Sequence, residues 1–312
     1  MKPQLLALAL LFPTVPTLAA PSIVASTGMI ADLARHLAGD RAHIHTLIGE
    51  GIDPHAYQPT RRDLLLLPNA DLILVNGLNL EGKLGSVLAR MSARGKPVVP
   101  VAEKIIATGR VPLIEADGQP DPHLWMDVSA WSHAVPIIAE ALASIDPAHR
   151  DFYLGRVAPL QTEMAELHHY ARTSLGSIPA SRRVLVTAHD AFRYLGRAYD
   201  VEVRGIQGIS TESEAGLRDI RDLITFLVER QIPAVFVETS VADKNVRALI
   251  EGAQARGHHV QIGGELFSDS MGAPGTYLGT YLGMIDHNVT TITRALGGQA
   301  PETGWRGKLT PP

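Results

Sequence analysis

The chain has 312 residues, of which 46% are hydrophobic and 19% are charged, and its formal net charge is −4. This length predicts about two domains, with enough apolar side chains to form a core. The slightly acidic balance excludes a basic surface for nucleic acid. Because the sequence contains no cysteine, it excludes disulfides, thiolate metal sites and a lipid carried on an N-terminal cysteine.

The first twenty residues have the pattern of a secretory signal. Lys2 precedes an apolar run over residues 5–12, and small residues follow up to Ala19 and Ala20. This order is typical of a signal peptide, and the run is too short to span a bilayer. We therefore expect residues 1–20 to be removed and the mature protein to be free in the periplasm, without a lipid anchor, although a secreted protein would have the same pattern.

Short apolar runs alternate with helical patterns through the first half of the chain. We predict strands at residues 22–25, 43–48, 71–75 and 97–101, and helices at residues 29–37, 61–67 and 81–94. Alternation of this kind is typical of a mainly parallel sheet flanked by helices. Residues 21–145 are therefore predicted to form an N-terminal α/β lobe.

A long helical pattern lies near the middle of the chain. Asp146 suits the N-cap and Pro147 the first helical position. Gly155 and Pro159 are expected to bend the helix. We interpret residues 146–175 as one helix linking two domains, and we expect such a stiff link to permit only small movements of the lobes.

The α/β alternation then restarts and predicts a C-terminal lobe over residues 176–312. Strands are predicted at residues 184–187, 201–206, 234–237 and 259–262, and a last helix at residues 277–296. Residues 211–214 have the spacing of a capping box, which predicts a helix from Thr211 to about Arg230. The tail from Gly297 is expected to be loose.

The tripeptide Asp-Pro-His occurs twice, at residues 53–55 and again at residues 121–123. Proline fixes its own φ angle and favours an extended conformation in the residue before it. Each imidazole therefore follows a stiff backbone segment. Two neutral imidazoles presented in this way are typical of a metal site.

Four side chains lie at positions where parallel sheets bind their ligands, beyond the carboxyl ends of strands. His55 and His189 follow predicted strands, Asp269 follows the strand at residues 259–262, and His123 precedes a further helix. Three imidazoles and one carboxylate fill a four-coordinate shell, which suits Zn²⁺ and leaves Mn²⁺ open. A filled shell favours binding over catalysis, because a catalytic zinc keeps an open position for water.

Other polar and aromatic residues beside these four have two interpretations each. Asp53 and Asp121 either accept a proton from a ligating imidazole or only shape a turn. Glu238 either supports the site or faces solvent. The aromatic rings of Trp125 and Phe267 either form a dry wall around an ion or fill the core.

The sequence resembles the metal-binding receptors of bacterial ABC transporters, the TroA-like (cluster A-I) zinc/manganese group of periplasmic solute-binding proteins. Four segments carry the resemblance: residues 51–60 (GIDPHAYQPT), 121–127 (DPHLWMD), 186–192 (VTAHDAF) and 264–272 (GELFSDSMG). The resemblance implies two α/β lobes joined by one long helix, with the metal held in the cleft by His55, His123, His189 and Asp269.

The same resemblance implies a function, namely capture of a divalent metal ion and its delivery to a membrane permease. Many manganese-selective members have Glu where this chain has His189, which favours zinc. Many dedicated zinc members have a His- and acid-rich loop ahead of the second ligand and a cysteine pair. This chain lacks both features, so a receptor that binds both zinc and manganese stays an alternative. We expect a monomer without enzymatic activity. The alternatives are a periplasmic metallohydrolase and an adhesin stabilised by metal.

Overall fold

The computed structural model describes residues 19–116 and 118–310 of the chain. Residues 1–18, which hold most of the predicted signal, lie outside the described part. Within it, the predicted class is confirmed: two α/β lobes are connected by a long helical segment.

The N-terminal lobe is built on one parallel sheet of four strands, in the order β2-β1-β3-β4. Its strands are β1 Ser22–Ala25, β2 His43–Thr46, β3 Leu72–Val75 and β4 Val98–Pro100. Its helices are α1 Gly28–Ala38, α2 Arg61–Asn69, α3 Gly82–Ala93, α4 Val101–Ala107, α5 Val128–Trp131 and α6 Ala134–Ile145. Strand β3 is apolar and buried along its whole length, as expected where helices cover both faces of a sheet.

A connecting stretch between α4 and α5 carries one of the two Asp-Pro-His copies. It contains a short antiparallel hairpin of β5 Glu115–Ala116 and β6 Gln119–Pro120. A single 3₁₀ turn follows at Leu124–Met126. This stretch leads the chain from the N-terminal sheet toward the boundary between the lobes.

The long connection is confirmed, although it is not one continuous helix. A 3₁₀ turn at Pro147–His149 is followed by α7 Arg150–Gly155 and by α8 Val157–Gly176. A bend was predicted at Gly155, and the helix is interrupted directly after this residue. Pro159 causes no break, because it lies in the first turn of α8, where proline is tolerated. Asp146 does not cap the backbone, and instead its carboxylate accepts hydrogen bonds from His149 and Tyr153.

The C-terminal lobe has four strands in two parallel pairs, β7 with β8 and β9 with β10. The strands are β7 Val184–His189, β8 Glu202–Gln207, β9 Ala234–Glu238 and β10 Gln261–Leu266. The helices are α9 Arg193–Tyr199, α10 Leu217–Arg230, α11 Lys244–Gln254 and α12 Tyr281–Ala295. Within each pair the strands run in parallel, and a hydrogen bond from His189 to Glu238 joins the carboxyl end of β7 to that of β9.

Two predicted helix starts in this lobe are wrong. Helix α10 begins at Leu217 with Gly216 as its N-cap, not at Thr211. The Thr211 hydroxyl is engaged elsewhere, since it donates a hydrogen bond to the Asp53 carboxylate. Helix α12 begins at Tyr281 rather than at residue 277, and the Thr280 side chain caps it.

The last strand extends past the glycine pair at which the prediction ended it. Strand β10 reaches Leu266, with a bulge between Ile262 and Gly264. A Cβ atom at Gly263 would lie only 2.8 Å from the Phe236 ring, so glycine is required there by close packing rather than by a turn. Strand β10 therefore ends only three residues before Asp269.

The tail after α12 is held in place, so the prediction of a loose terminus is wrong for residues up to 310. The backbone N–H of Trp305 donates to the Asp286 carboxylate over 2.8 Å. The Arg306 guanidinium reaches both Glu163 and Glu166 on α8. The tail thereby attaches the long connecting helix to the C-terminal lobe.

The largest hydrophobic cluster runs through both lobes and the connecting helices. It joins Ile23 of β1 and Trp131 of α5 with Leu167 of α8 and Ile285 of α12. The stretch Val128–Ile145 is apolar and long enough to cross a membrane by composition alone, but 56% of it is buried inside the protein. A continuous apolar core between lobes opposes wide opening, and small lobe movements stay a prediction.

Candidate metal centre

The structure brings together the four side chains predicted as ligands. One ligand atom from each of His55, His123, His189 and Asp269 lies within 4.8 Å of the others, and all four residues are buried. Their exposed fractions are 3% or less. The group lies between the lobes, with His55 and His123 from the N-terminal part of the chain and His189 and Asp269 from the C-terminal lobe.

The separations between these atoms fit a shared ion. His55 Nε2 lies 3.3 Å from His123 Nε2, and His189 Nε2 lies 3.2 Å from one oxygen of Asp269. The other Asp269 oxygen lies 3.3 Å from His123 Nε2. Tetrahedral bonds of about 2.0–2.1 Å place neighbouring ligand atoms roughly 3.3 Å apart. The four side chains therefore surround a space of the right size for a small divalent cation.

The ligand atoms themselves are poorly satisfied by the protein. Both carboxylate oxygens of Asp269 and the Nε2 atom of His189 are buried, and they have no hydrogen-bond partner within residues 19–116 and 118–310. Buried polar atoms are rarely left in this state, and each such atom calls for an explanation. A cation that accepts lone pairs from all of them explains the whole group at once.

Glu238 fixes the orientation of the His189 ring. His189 ends β7 and Glu238 ends the adjacent β9, so the two carboxyl ends meet. The His189 backbone N–H donates to Glu238 Oε1 over 2.8 Å, and its Nδ1 donates to Oε2 over 2.5 Å. A proton held on Nδ1 leaves the lone pair on Nε2, which points to the other ligands. Glu238 thus supports the site and does not face solvent.

The aspartates of the two Asp-Pro-His copies form different hydrogen bonds with their histidines. Asp121 accepts from both the backbone N–H and the ring Nδ1 of His123, over 2.9 and 2.7 Å. Asp53 accepts only the backbone N–H of His55, over 2.9 Å. Its second oxygen receives the Thr211 hydroxyl from the opposite lobe. Asp121 therefore orients a ring, whereas Asp53 shapes a turn and joins the lobes.

The loop that carries His55 packs closely against the start of α3. Gly82 has a φ angle of 41°, and a Cβ atom there would lie 2.3 Å from the His55 carbonyl oxygen. Any other residue would therefore displace the His55 backbone. Glycine at this position permits the close approach that places the ring in the cleft.

Asp269 is positioned by contacts to the residues just before it. The Asn288 side chain accepts the Phe267 backbone N–H over 3.0 Å and donates to the Phe267 carbonyl over 2.7 Å. The Trp125 indole N–H donates to the Ser268 carbonyl over 2.9 Å. The backbone leading into Asp269 is therefore held from both lobes.

The charges within the site shift its protonation. Burial by itself lowers the pKa of His123, but the Asp121 and Asp269 carboxylates outweigh burial and raise the pKa to about 9. The pKa of His189 is likewise raised, by Glu238 and Asp269 against the effect of burial. Burial lowers the pKa of His55 to about 4. Burial alone raises the pKa of Asp269, but the two cationic rings hold it well below its usual value.

Sequence reasoning missed two supporting residues. Thr211 was assigned to a helix cap, although nothing in the local pattern distinguishes a cap from a contact across the cleft. Asn288 is fully buried in the middle of α12. A buried amide on an otherwise apolar helix face is the signal that identifies such a residue. Trp125 both fills the core and donates a hydrogen bond that ties the lobes.

Fold and site together define a class: an α/β protein of two lobes whose cleft encloses three imidazoles and a carboxylate. Within that class the chain belongs to the family described as zinc-uptake complex component A, periplasmic, whose model matches residues 23–295.

Individual relatives agree over nearly the same span. The chain is 48% identical to the zinc-binding protein TroA of Treponema pallidum over 276 residues, covering 88% of this chain and 89% of TroA. It is 42% identical to the manganese-binding lipoprotein MntA of Bacillus subtilis, covering 88% and 89% of the two chains. The solved structure of the periplasmic zinc-binding protein TroA from T. pallidum superposes with a TM-score of 0.86 at 46% identity, covering 89% of this chain and 99% of that one.

Proposed function

We propose that this protein is an extracytoplasmic receptor that captures Zn²⁺ or Mn²⁺ and delivers it to the membrane permease of an ABC importer. One observation carries the proposal. Three imidazole nitrogens and one carboxylate converge in a buried cleft between two lobes, and several of these atoms have no hydrogen-bond partner in the part of the chain that the structure describes. The metal is the cargo, with His55, His123, His189 and Asp269 as its ligands.

The choice between the two metals follows from the donor set and from the relatives. Three nitrogens and one oxygen suit Zn²⁺, whereas Mn²⁺ prefers more oxygen. One relative is named for zinc and another for manganese. We propose zinc as the preferred cargo and manganese as a second one.

A filled shell also favours a receptor over an enzyme. A catalytic zinc keeps one position open for water or substrate, and four protein ligands leave no such position in a tetrahedral site. An adhesin in which the metal is only structural is the other alternative. It differs from a receptor in one measurable property, the ability to lose the metal and remain folded.

The remaining assignments extend this proposal. The family is described as periplasmic, which supports export with residues 1–20 as the signal. Several relatives are named lipoproteins, so a free mature form stays a prediction from the sequence. The monomeric state and the boundaries 21–145, 146–175 and 176–312 stay predictions as well.

Removal of the metal with EDTA is expected to leave a folded protein that binds one equivalent of Zn²⁺ again. The hydrophobic core and the hydrogen bonds between the lobes do not depend on the ion. Circular dichroism with isothermal titration calorimetry measures folding and rebinding. Cells with and without this chain then serve to compare ⁶⁵Zn uptake.

Three results of that experiment would contradict the proposal. Unfolding on chelation would identify a structural metal. Metal-dependent hydrolysis of ester or phosphate substrates would identify an enzyme. Uptake of ⁶⁵Zn that is the same without the chain would remove the link to transport.

Zinc affinity is expected to fall steadily as pH is lowered from about 9 to 6. Below a pKa of about 9 the His123 ring of the metal-free protein carries a proton, and His189 behaves in the same way. Zinc must displace these protons, so the affinity changes by about tenfold per pH unit for each proton displaced. An unperturbed histidine would confine this dependence to pH values below about 6.5.

Competition against a zinc indicator at several pH values, corrected for the indicator's own protonation, measures this slope. A slope near zero between pH 7 and 9 would contradict the raised pKa values of His123 and His189. His55 contributes nothing over this range, because its pKa is lowered to about 4.

A further inference from the structure

The second and fourth predicted ligands are tied together across the lobes. Trp125 follows His123 by two residues, and its indole N–H donates to the carbonyl of Ser268, which precedes Asp269. The Tyr281 hydroxyl of α12 donates to the Trp125 carbonyl over 2.8 Å. All of these groups are buried. These bonds restrict the movement of His123 relative to Asp269.

A second set of hydrogen bonds joins the segment that leads to His123, residues 112–125, to helix α9, which follows His189. The Ile114 backbone N–H donates to the Tyr194 hydroxyl over 3.2 Å. The Arg197 guanidinium donates to the Pro112 carbonyl over 2.7 Å. Asn76 also bonds the Pro122 carbonyl from the N-terminal sheet, so the segment is anchored to both lobes. His123, His189 and Asp269 thus form a preassembled group of three ligands.

The loop of the first ligand, His55, spans residues 49–60 and is bonded less firmly to the C-terminal lobe. Among the residues that the structure describes, only one hydrogen bond joins this loop to the C-terminal lobe, from the Thr211 hydroxyl to Asp53 Oδ2. The Nε2 atom of the His55 ring lies 3.7 Å from Asp269 Oδ2. Asp53 transmits the link, because its other oxygen accepts the His55 backbone N–H.

Thr211 is placed by the strand that pairs with the strand of the third ligand. Gln207 lies opposite His189 in the β7–β8 pair. Its side-chain amide donates to the Ser213 carbonyl over 3.1 Å, which holds the loop that contains Thr211. A continuous path of bonded residues therefore runs from the His189 strand through Thr211 and Asp53 to His55.

From this arrangement we propose that Thr211 is a positioning residue that sets the rate of metal release. This role of Thr211 rests on the proposed function of the protein as a metal receptor. Through Asp53, the Thr211 hydroxyl holds His55 over the other three ligands. Release starts when His55 leaves the ion, and the hydrogen bond lowers the fraction of protein in which His55 is displaced.

Thr211→Val removes the hydroxyl and nearly preserves the side-chain shape. We expect the release of Zn²⁺ to be about tenfold faster, since a hydrogen bond to an ionised carboxylate is strong enough for a change of that size. The association rate is expected to stay within about twofold, because the three preassembled ligands capture the ion first. Thr211→Ser is expected to restore slow release.

Stopped-flow mixing of the zinc-loaded protein with excess EDTA measures release, and mixing of the metal-free protein with Zn²⁺ measures association. Ser213→Ala is the matched control, because this exposed residue of the same loop contributes only its backbone carbonyl. Release from Thr211→Val within twofold of the unchanged protein, or equal acceleration in Ser213→Ala, would overturn the role of Thr211 alone. An unchanged protein that fails to bind Zn²⁺ would overturn the proposed function as well.

Discussion

His189→Ala is expected to weaken zinc binding by about 100- to 1,000-fold. Binding free energies of about 10–16 kcal/mol, divided among four ligands, correspond to losses of this size for each ligand. The His189 ring is fully buried and is aligned by Glu238, so the substitution removes a ligand that is already oriented toward the other three. The substitution also leaves Glu238 and Asp269 as buried carboxylates without the ring between them, which destabilises the metal-free protein.

Isothermal titration calorimetry measures the affinity, and thermal unfolding of the metal-free variant separates loss of a ligand from loss of the fold. His258→Ala is the matched control. That histidine is also nearly buried, but its Nε2 bonds the Ile232 carbonyl, away from the site. Zinc affinity that stays unchanged in a folded His189→Ala protein would refute the assignment of this ligand.

Asp269→Asn is expected to weaken zinc binding at least as much as His189→Ala, although it hardly changes the volume of the side chain. Asp269 is the only anion in the ligand set, and both of its oxygens lie among the imidazole nitrogens. The amide removes the negative charge and replaces one oxygen with a donor group that cannot coordinate a cation. We therefore expect zinc affinity to fall by about 1,000-fold or more.

A second readout distinguishes this charge effect from simple disruption. Asp269 is one of the carboxylates that raise the pKa of His123. Without that charge the pKa of His123 falls, so the zinc affinity of Asp269→Asn should depend less on pH between 7 and 9. Indicator competition over this range tests both effects. The control is Asp146→Asn, which alters a carboxylate at the start of the connecting helix. It is expected to change neither the zinc affinity nor its dependence on pH.

Predictions from local sequence pattern succeeded where neighbouring residues alone decide the structure. The first strand was predicted at residues 22–25 and is observed at Ser22–Ala25. A bend was also predicted at Gly155, where the long connection is interrupted. Apolar periodicity and the conformational limits of glycine and proline act over a few residues, so one sequence is enough to detect them.

Two of the errors share one cause, namely competition from a distant partner. The hydroxyl of Thr211 was expected to cap a helix and instead bonds Asp53 of the other lobe. The tail after Gly297 was expected to be loose, but its Arg306 forms ion pairs with two glutamates on α8. Local propensity is a weak preference, and one long-range contact is enough to reverse it.

The sequence by itself determined the fold class and the identity of the four candidate ligands, because alternating strands and helices together with a few motifs are local features. Only the tertiary structure decided how those ligands are supported. Two identical Asp-Pro-His tripeptides place their aspartates in different roles, since Asp121 contacts a ring and Asp53 contacts the opposite lobe. The physical reason is that a hydrogen bond depends on which groups the folded chain brings within about 3 Å, and this proximity is set by packing between residues far apart in sequence.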